Sequence, residues 1–193
     1  MHYILGLGNP GEKYADTRHN AGQIVLKKAG EESGWPQFFS SSKAGGEISE
    51  FSLGGKDVTV VFPSTFMNES GKVAKKLKEL SPDADLTVVY DDIDLPFGEV
   101  RVSFGRGDGG HNGIKSVANS LGSKDFTRVR VGIAPKSLFG KQLRPQGEKL
   151  NRYVLGRMTG REMKKLEEVA KNLPEILTLI VERGPEAAMN RFN

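Results

Sequence analysis

Short apolar runs of strand length alternate along this chain with stretches whose apolar residues recur at helical spacing. That alternation constrains the fold more than any other feature. The first run is Tyr3-Ile4-Leu5-Gly6-Leu7. A helical pattern follows over Ala21, Ile24, Val25 and Ala29, with Asn20 as its expected cap and an end near Gly30–Gly34. Glu47 to Leu53 alternates, Gly54-Gly55 turns and Val58 to Phe62 returns, which reads as a hairpin. Pro63-Ser64-Thr65 opens a helix whose stripe is Val73, Leu77 and Leu80. Leu86 to Tyr90 reads as a central strand and Val100 to Phe104 as another. The loop Gly105 to Gly110 enters a helix with Ile114, Val117, Ala118 and Leu121 on one face, and Arg128 to Ile133 alternates as a strand. Lys136 to Asn151 reads as a long basic connection. Thr159 to Glu162 matches a capping box for a helix reaching about Leu173; a second helix starts at Pro174 and runs to Arg183, and a short last one starts at Pro185. Strands interleaved with helices give an α/β fold: one globular domain over 1–193, with a mixed sheet flanked by helices.

The chain is long enough for a full core. It has no cysteine, which excludes disulfides, a thiol nucleophile and every cysteine-based metal site. Its opening apolar run falls far short of the ~20 residues a membrane helix needs. No basic start or cleavage site of a secretory leader is seen, so a cytoplasmic protein without membrane association is expected. The net charge of +4 is unevenly spread. Arg128 to Lys165 carries eleven Lys/Arg against Glu148 and Glu162, a local +9, and the remainder sums to −5. Such asymmetry suits a polyanion partner such as nucleic acid; the plain alternative is a solvated basic face on a C-terminal helix.

Leu5 to Gly22 places His19 about ten residues beyond a glycine-proline turn, in a setting of Asn, Arg and Thr. A fixed histidine there suits proton chemistry near neutral pH, and a capping or hydrogen-bonded structural histidine is the alternative. Gly6-Leu7-Gly8-Asn9-Pro10-Gly11 satisfies the dinucleotide fingerprint literally, but Pro10 drives Asn9 from helical angles and the next helix starts about nine residues late. These glycines shape a tight turn exposing the Asn9 amide. Asp91, Asp92 and Asp94 end the predicted central strand. An acidic surface turn is the first expectation for them, ahead of a histidine partner and then a magnesium site. The glycine-rich segment Gly105–Gly113 enters a helix, where free N–H groups suit an anion, and Arg101, Arg106 and Lys115 flank it. Phe66-Met67-Asn68 adds an aromatic and another amide. The recurrent polar group is the carboxamide, at Asn9, Asn20, Asn68 and Asn112, which suits reading a peptide backbone or holding an oxyanion.

Four segments in order and register resemble bacterial-type peptidyl-tRNA hydrolases over nearly the full length. They are G-L-G-N-P-G-x-x-Y-x-x-T-R-H-N-A-G at Gly6–Gly22, P-x-T-F-M-N-x-S-G at Pro63–Gly71, D-D-I-D-L-P-x-G at Asp91–Gly98 and G-G-H-N-G at Gly109–Gly113. The resemblance implies a monomer that uses no metal or cofactor and hydrolyses the ester joining a peptide to the 3′-terminal ribose of tRNA. It implies His19 as general base, Asp91 as the acid orienting it, and Asn9, Asn68 and Asn112 as holders of backbone, water and oxyanion. It places Tyr14 and Phe66 near the terminal nucleotide, His111 at the acceptor end, and Arg101 and Arg130 in a phosphate clamp, with the basic connection as a mobile lid. No histidine besides His19 is expected to be paired. Ser103 stands where the family often carries a second basic residue; Arg106 is a candidate replacement, whereas Asp108 would repel a phosphate. No G-x-S-x-G elbow supplies a serine nucleophile. The rival function is a non-catalytic RNA-binding protein of the same fold.

Overall fold

The computed structural model describes residues 1–135 and 144–193. Its strands are β1 (His2–Gly6), β2 (Phe39–Ser41), β3 (Gly46–Leu53), β4 (Lys56–Pro63), β5 (Asp85–Pro96), β6 (Val100–Phe104) and β7 (Thr127–Ala134). Its helices are α1 (Ala21–Ser33), α2 (Ser70–Leu80), α3 (Asn112–Leu121), α4 (Glu148–Val154), α5 (Gly160–Arg183) and α6 (Pro185–Phe192). The strands form one seven-stranded mixed sheet in the order β2-β3-β4-β1-β5-β7-β6. β1 runs parallel to β4 and β5, and β5 parallel to β7, while β2, β3 and β6 complete it in antiparallel pairings.

Period-two alternation on the central strands feeds two cores. Ile4, Val89 and Val129 pack with Val25 and Leu26 of α1 and Leu166, Leu173 and Leu177 of α5. Leu5, Val88 and Tyr90 face Val73 and Leu77 of α2 and Ile114 and Val117 of α3. Each such aliphatic side chain contributes about 1.5–3 kcal/mol when fully buried. The arrangement leaves the carboxyl ends of β1 and β5 open between α1 and α3, where open α/β sheets bind ligands.

Several expectations are corrected. β5 does not stop at Tyr90: Asp91 and Asp92 pair with Val131 and Gly132 of β7 and are buried, so they are not a surface turn. α5 runs unbroken through Pro174. Its stripe, from Leu166 through Leu173 and Ile176 to Val181, is buried on both sides of the proline, and that burial outweighs the ~3 kcal/mol a proline costs inside a helix. α2 starts at Ser70, after a 3₁₀ turn over Met67–Glu69, rather than at the Pro63–Thr65 segment. The expected connection contains a helix, α4; residues 136–143, which the lid expectation includes, lie outside the described residues.

Candidate active site

His19 lies in a 3₁₀ turn, Arg18–Asn20, between β1 and α1. Asn20 does not cap α1 with its side chain. Its Oδ1 accepts from the Asn9 N–H at 2.8 Å and its Nδ2 donates to the Asn9 carbonyl at 3.0 Å. This two-point clamp fixes the turn after β1 against the His19 turn. The Asn9 side chain is buried rather than displayed, and its Oδ1 accepts from the Met67 N–H at 2.9 Å. Its Nδ2 donors are thus the part left for a ligand. The same bond places the turn carrying Phe66 and Asn68 beside Asn9. Phe66 meets Tyr14 edge-to-face at 6.3 Å, so these two expected residues come together, and Asn68 is exposed.

Asp91 is the centre of the site. It is 2% exposed and His19 8%. His19 Nδ1 lies 3.0 Å from both Asp91 oxygens. His111 Nε2 lies 2.8 Å from Asp91 Oδ1, while its Nδ1 accepts from the Gly113 and Ile114 N–H groups at 3.1 and 3.2 Å. The two backbone donors fix the lone pair of His111 on Nδ1 and its proton on Nε2. Two imidazoles therefore donate to one carboxylate, which corrects the expectation that only His19 is paired. His111 also occupies donors at the start of α3, which are therefore not free for an anion. Burial works to raise the Asp91 carboxyl, yet the two rings hold it well below the usual carboxylate range. Burial works to lower the His19 ring, but the charge and hydrogen bond of Asp91 outweigh it and raise its pKa. Among the described residues, His19 Nε2 has no protein partner, so a raised, carboxylate-oriented base is left with one free nitrogen.

Ligand atoms of His19, Asp91 and His111 lie within 4.8 Å of one another. The carboxylate already accepts from both rings and the other His111 nitrogen from α3, so a cation would have to displace bound protons. The cluster fits a proton-handling unit better than a metal centre.

His19, Asp91, His111 and the exposed Asn112 line a cleft whose opposite wall is Leu150, Asn151 and Val154 of α4. The sequence reading missed this wall. Its signal was there: Leu150, Tyr153 and Val154 have the spacing of one helical face.

The expected basic residues divide. Arg106, Arg130 and Ser103 line one pocket with Tyr90 and Asp92. Arg130 Nε donates to Asp92 at 2.7 Å. Burial and the Asp92 charge push the Tyr90 phenol up to about 12. Arg101 pairs with Arg130 across the β6–β7 ladder, but its guanidinium donates to the Asn193 carbonyl. Arg128, counted in the basic stretch, is buried over Phe126 and donates to the carbonyls of Lys124, Phe126 and Arg106, so it is structural.

A carboxylate-paired histidine stands in this cleft near carboxamides, and among the described residues no serine is in hydrogen-bond contact with its ring. Residues 3–193 match the family model described as "Peptidyl-tRNA hydrolase", and the chain belongs to that family. It is similar to a peptidyl-tRNA hydrolase of Rubrobacter xylanophilus, 42% identical with 98% of each chain covered. It is 40% identical to one from Mycobacterium avium, over 98% of this chain and 96% of that one. A crystal structure of peptidyl-tRNA hydrolase from Acinetobacter baumannii superposes with a TM-score of 0.85 at 29% identity, covering 100% of this chain and 94% of that one.

Proposed function

We propose that this chain hydrolyses the ester between the peptide and the 3′-terminal ribose of peptidyl-tRNA, with His19 as general base. The observation carrying the reading is the His19–Asp91 pair: Nδ1 is spent on the carboxylate at 3.0 Å, and Nε2 is left to take a proton. Nε2 removes a proton from water as its oxygen attacks the ester carbonyl carbon. Asp91 stabilises the imidazolium, as the acid of a catalytic triad does. The carbonyl electrons move onto oxygen, and amide donors of Asn9, Asn68 and Asn112 hold the oxyanion and the peptide backbone. Collapse breaks the bond to the ribose oxygen, which takes the proton back from His19. The products are a tRNA with its 3′ hydroxyl free and a peptide carboxylic acid, which loses its proton to solvent as the carboxylate. An ester is labile enough for a positioned base and fixed amides to suffice.

Tyr14 and Phe66 are the proposed platform for the terminal nucleotide, while Arg106, Arg130 and Arg101 contribute the charge that holds phosphates and His111 supports the site from Asp91. Action as a cytoplasmic monomer belongs to the same reading. No helix among the described residues is long and apolar enough to cross a membrane.

The test is incubation with N-acetyl-aminoacyl-tRNA and with free aminoacyl-tRNA. The chain should release the acyl group preferentially from the blocked substrate, and His19→Ala should stay folded while losing about 10²–10⁴-fold in rate. Binding of tRNA with no turnover would favour an RNA-binding role instead.

A further inference from the structure

The residue before the proposed base has a task that the chemistry above does not use. Arg18 Nε and Nη2 donate in a fork to Glu162 Oε1 and Oε2, both at 2.9 Å. Its Nη1 donates to the Tyr153 and Gly156 carbonyls at 3.1 and 3.3 Å. The guanidinium lies over the Tyr153 ring at 4.3 Å. Its own N–H donates to the Gly156 carbonyl at 3.2 Å, and the Asp16 carbonyl accepts from Met158 N–H at 2.9 Å. The side chains of Arg18 and Glu162 are only 12% and 19% exposed.

What these bonds hold is α4, the cleft wall. α4 has seven residues and none is fully buried. A helix that short is unstable alone, and only the half-buried Tyr153 and Val154 pack it against the core. Its C-terminal carbonyls are the groups a helix leaves unsatisfied, and a cation belongs at that end. Arg18 supplies donors and charge together. A second hydrogen-bonded tether is the Tyr153 hydroxyl, donating to the Ile133 carbonyl at 2.8 Å. Glu162 is shared, because it also closes the capping box with Thr159 at the start of α5. One side chain thus joins the His19 turn, the end of α4 and the start of α5.

We propose that Arg18 is a positioning residue: it ties the His19 turn to α4 and so sets the distance between the base and the Leu150–Asn151–Val154 wall that holds substrate. The proposal rests on the reading of this cleft as the peptidyl-tRNA site.

Two variants test it. Arg18→Lys keeps the charge and loses the fork. Glu162→Gln keeps a residue accepted in a capping box and loses the anion. On N-acetyl-aminoacyl-tRNA each should raise KM about tenfold while kcat stays within about twofold, the pattern of lost ground-state binding. The acid limb of the pH profile should not move. Leu150→Ala should raise KM alone and add little in the Arg18→Lys background, because both act on one wall. Amide hydrogen exchange should quicken over residues 148–156 in both variants and not in α2 or α3. Unchanged KM with a lowered Tm would make Arg18 a purely structural tie. A reduced kcat with a displaced acid limb would mean it acts on His19 itself. Additive KM effects, or unchanged exchange over 148–156, would equally overturn the proposal. If Arg18→Lys fails to fold, Glu162→Gln decides. Absence of hydrolysis by the unmodified chain would sink the functional reading instead, and the exchange measurement would still judge the tether.

Discussion

His111 and His19 share one acceptor: the Nε2–H of His111 reaches Asp91 Oδ1 at 2.8 Å, the oxygen that His19 Nδ1 also approaches at 3.0 Å. The carboxylate is therefore divided between a ring that can gain a proton and a ring whose tautomer α3 dictates. On the proposed reading, this division would tune His19 as the base. A second donor drains charge from Asp91 and weakens its hold on a protonated His19.

Replacing His111 with Asn should reveal that tuning. Asn is a good N-cap residue, so the amides of Gly113 and Ile114 keep an acceptor and stability should change by less than about 1 kcal/mol. With the second donor gone, Asp91 binds the His19 cation more strongly. The acid limb of kcat/KM should move up by about one unit, the worth of one charge-assisted hydrogen bond. A pH–rate profile of His111→Asn against the unmodified chain measures it; an unmoved limb would deny the shared-acceptor account.

Asp91→Asn should shift the same limb the other way. The charge that raises the His19 pKa is removed, so the limb moves to lower pH. With its oxygen in the Oδ1 place the amide still accepts from His111, but its NH₂ then faces the His19 Nδ1–H, so the His19 ring must turn or change tautomer. That is the fault expected to cost about 10²–10⁴ in kcat, as in triads whose acid becomes an amide. A stability signature accompanies it. The Asp91 pKa is lowered on folding, so its stabilisation is present above its unfolded value near 3.8 and is lost as pH falls through the folded value. The His19 pKa is raised, so its share is present below 6.5 and is lost as pH rises through the folded value. Denaturant titrations should therefore show the largest deficit of Asp91→Asn between about pH 4 and 6.5.

Gly22→Ala tests why the histidine motif ends in glycine. A Cβ on Gly22 would sit 2.3 Å from the Val89 carbonyl oxygen and 3.0 Å from Tyr90 Cα. Both are backbone atoms of β5, and that carbonyl already accepts from the Leu7 N–H at 2.9 Å. α1 must back away from the strand that carries Asp91, and His19 moves with it. The expected cost is about 1–3 kcal/mol, a Tm lower by several degrees, with hydrolysis reduced as well. Thermal melts alongside an activity assay check both.

What the sequence disclosed and what it hid follow one physical division. Apolar periodicity reports burial, so the hairpin, the central strands, α3 and the mixed sheet were readable, as was the Thr159–Glu162 capping box. Boundaries set by competition were not. Asp91 and Asp92 read as a surface turn because charge ordinarily ends a buried strand; here two histidines and Arg130 compensate them inside it. Pro174 read as a break because the buried stripe that overrides it is distributed over the whole of α5. At the site, the motifs identified the chemical groups but not their partners. Asn20 looked like a cap and is a clamp on Asn9, Arg128 looked like surface charge and is a buried brace, and His111, expected at the acceptor end, lines the cleft with both ring nitrogens bonded within the protein.

Asn9 carries the sharpest test of selectivity. Its backbone is held by Asn20 and restrained by Pro10, and its Oδ1 is committed to the Met67 N–H. The group left to meet substrate is Nδ2, a donor. A donor suits the carbonyl of a blocked amino acid and the developing oxyanion, and offers nothing to the ammonium of a free aminoacyl-tRNA. Desolvating that ammonium without a partner is costly, more so near a His19 ring that becomes a cation in the reaction. Asn9→Asp keeps the size and the Met67 bond while turning the donor into an anion. Cleavage of N-acetyl-aminoacyl-tRNA should fall by about 10²–10³, the usual loss for an oxyanion donor. Cleavage of free aminoacyl-tRNA should fall less, because the new anion offers the ammonium a partner. The ratio of the two kcat/KM values should therefore shrink. Equal proportional losses would make Asn9 a catalytic or structural amide alone and move the discrimination to Asn68 or Asn112.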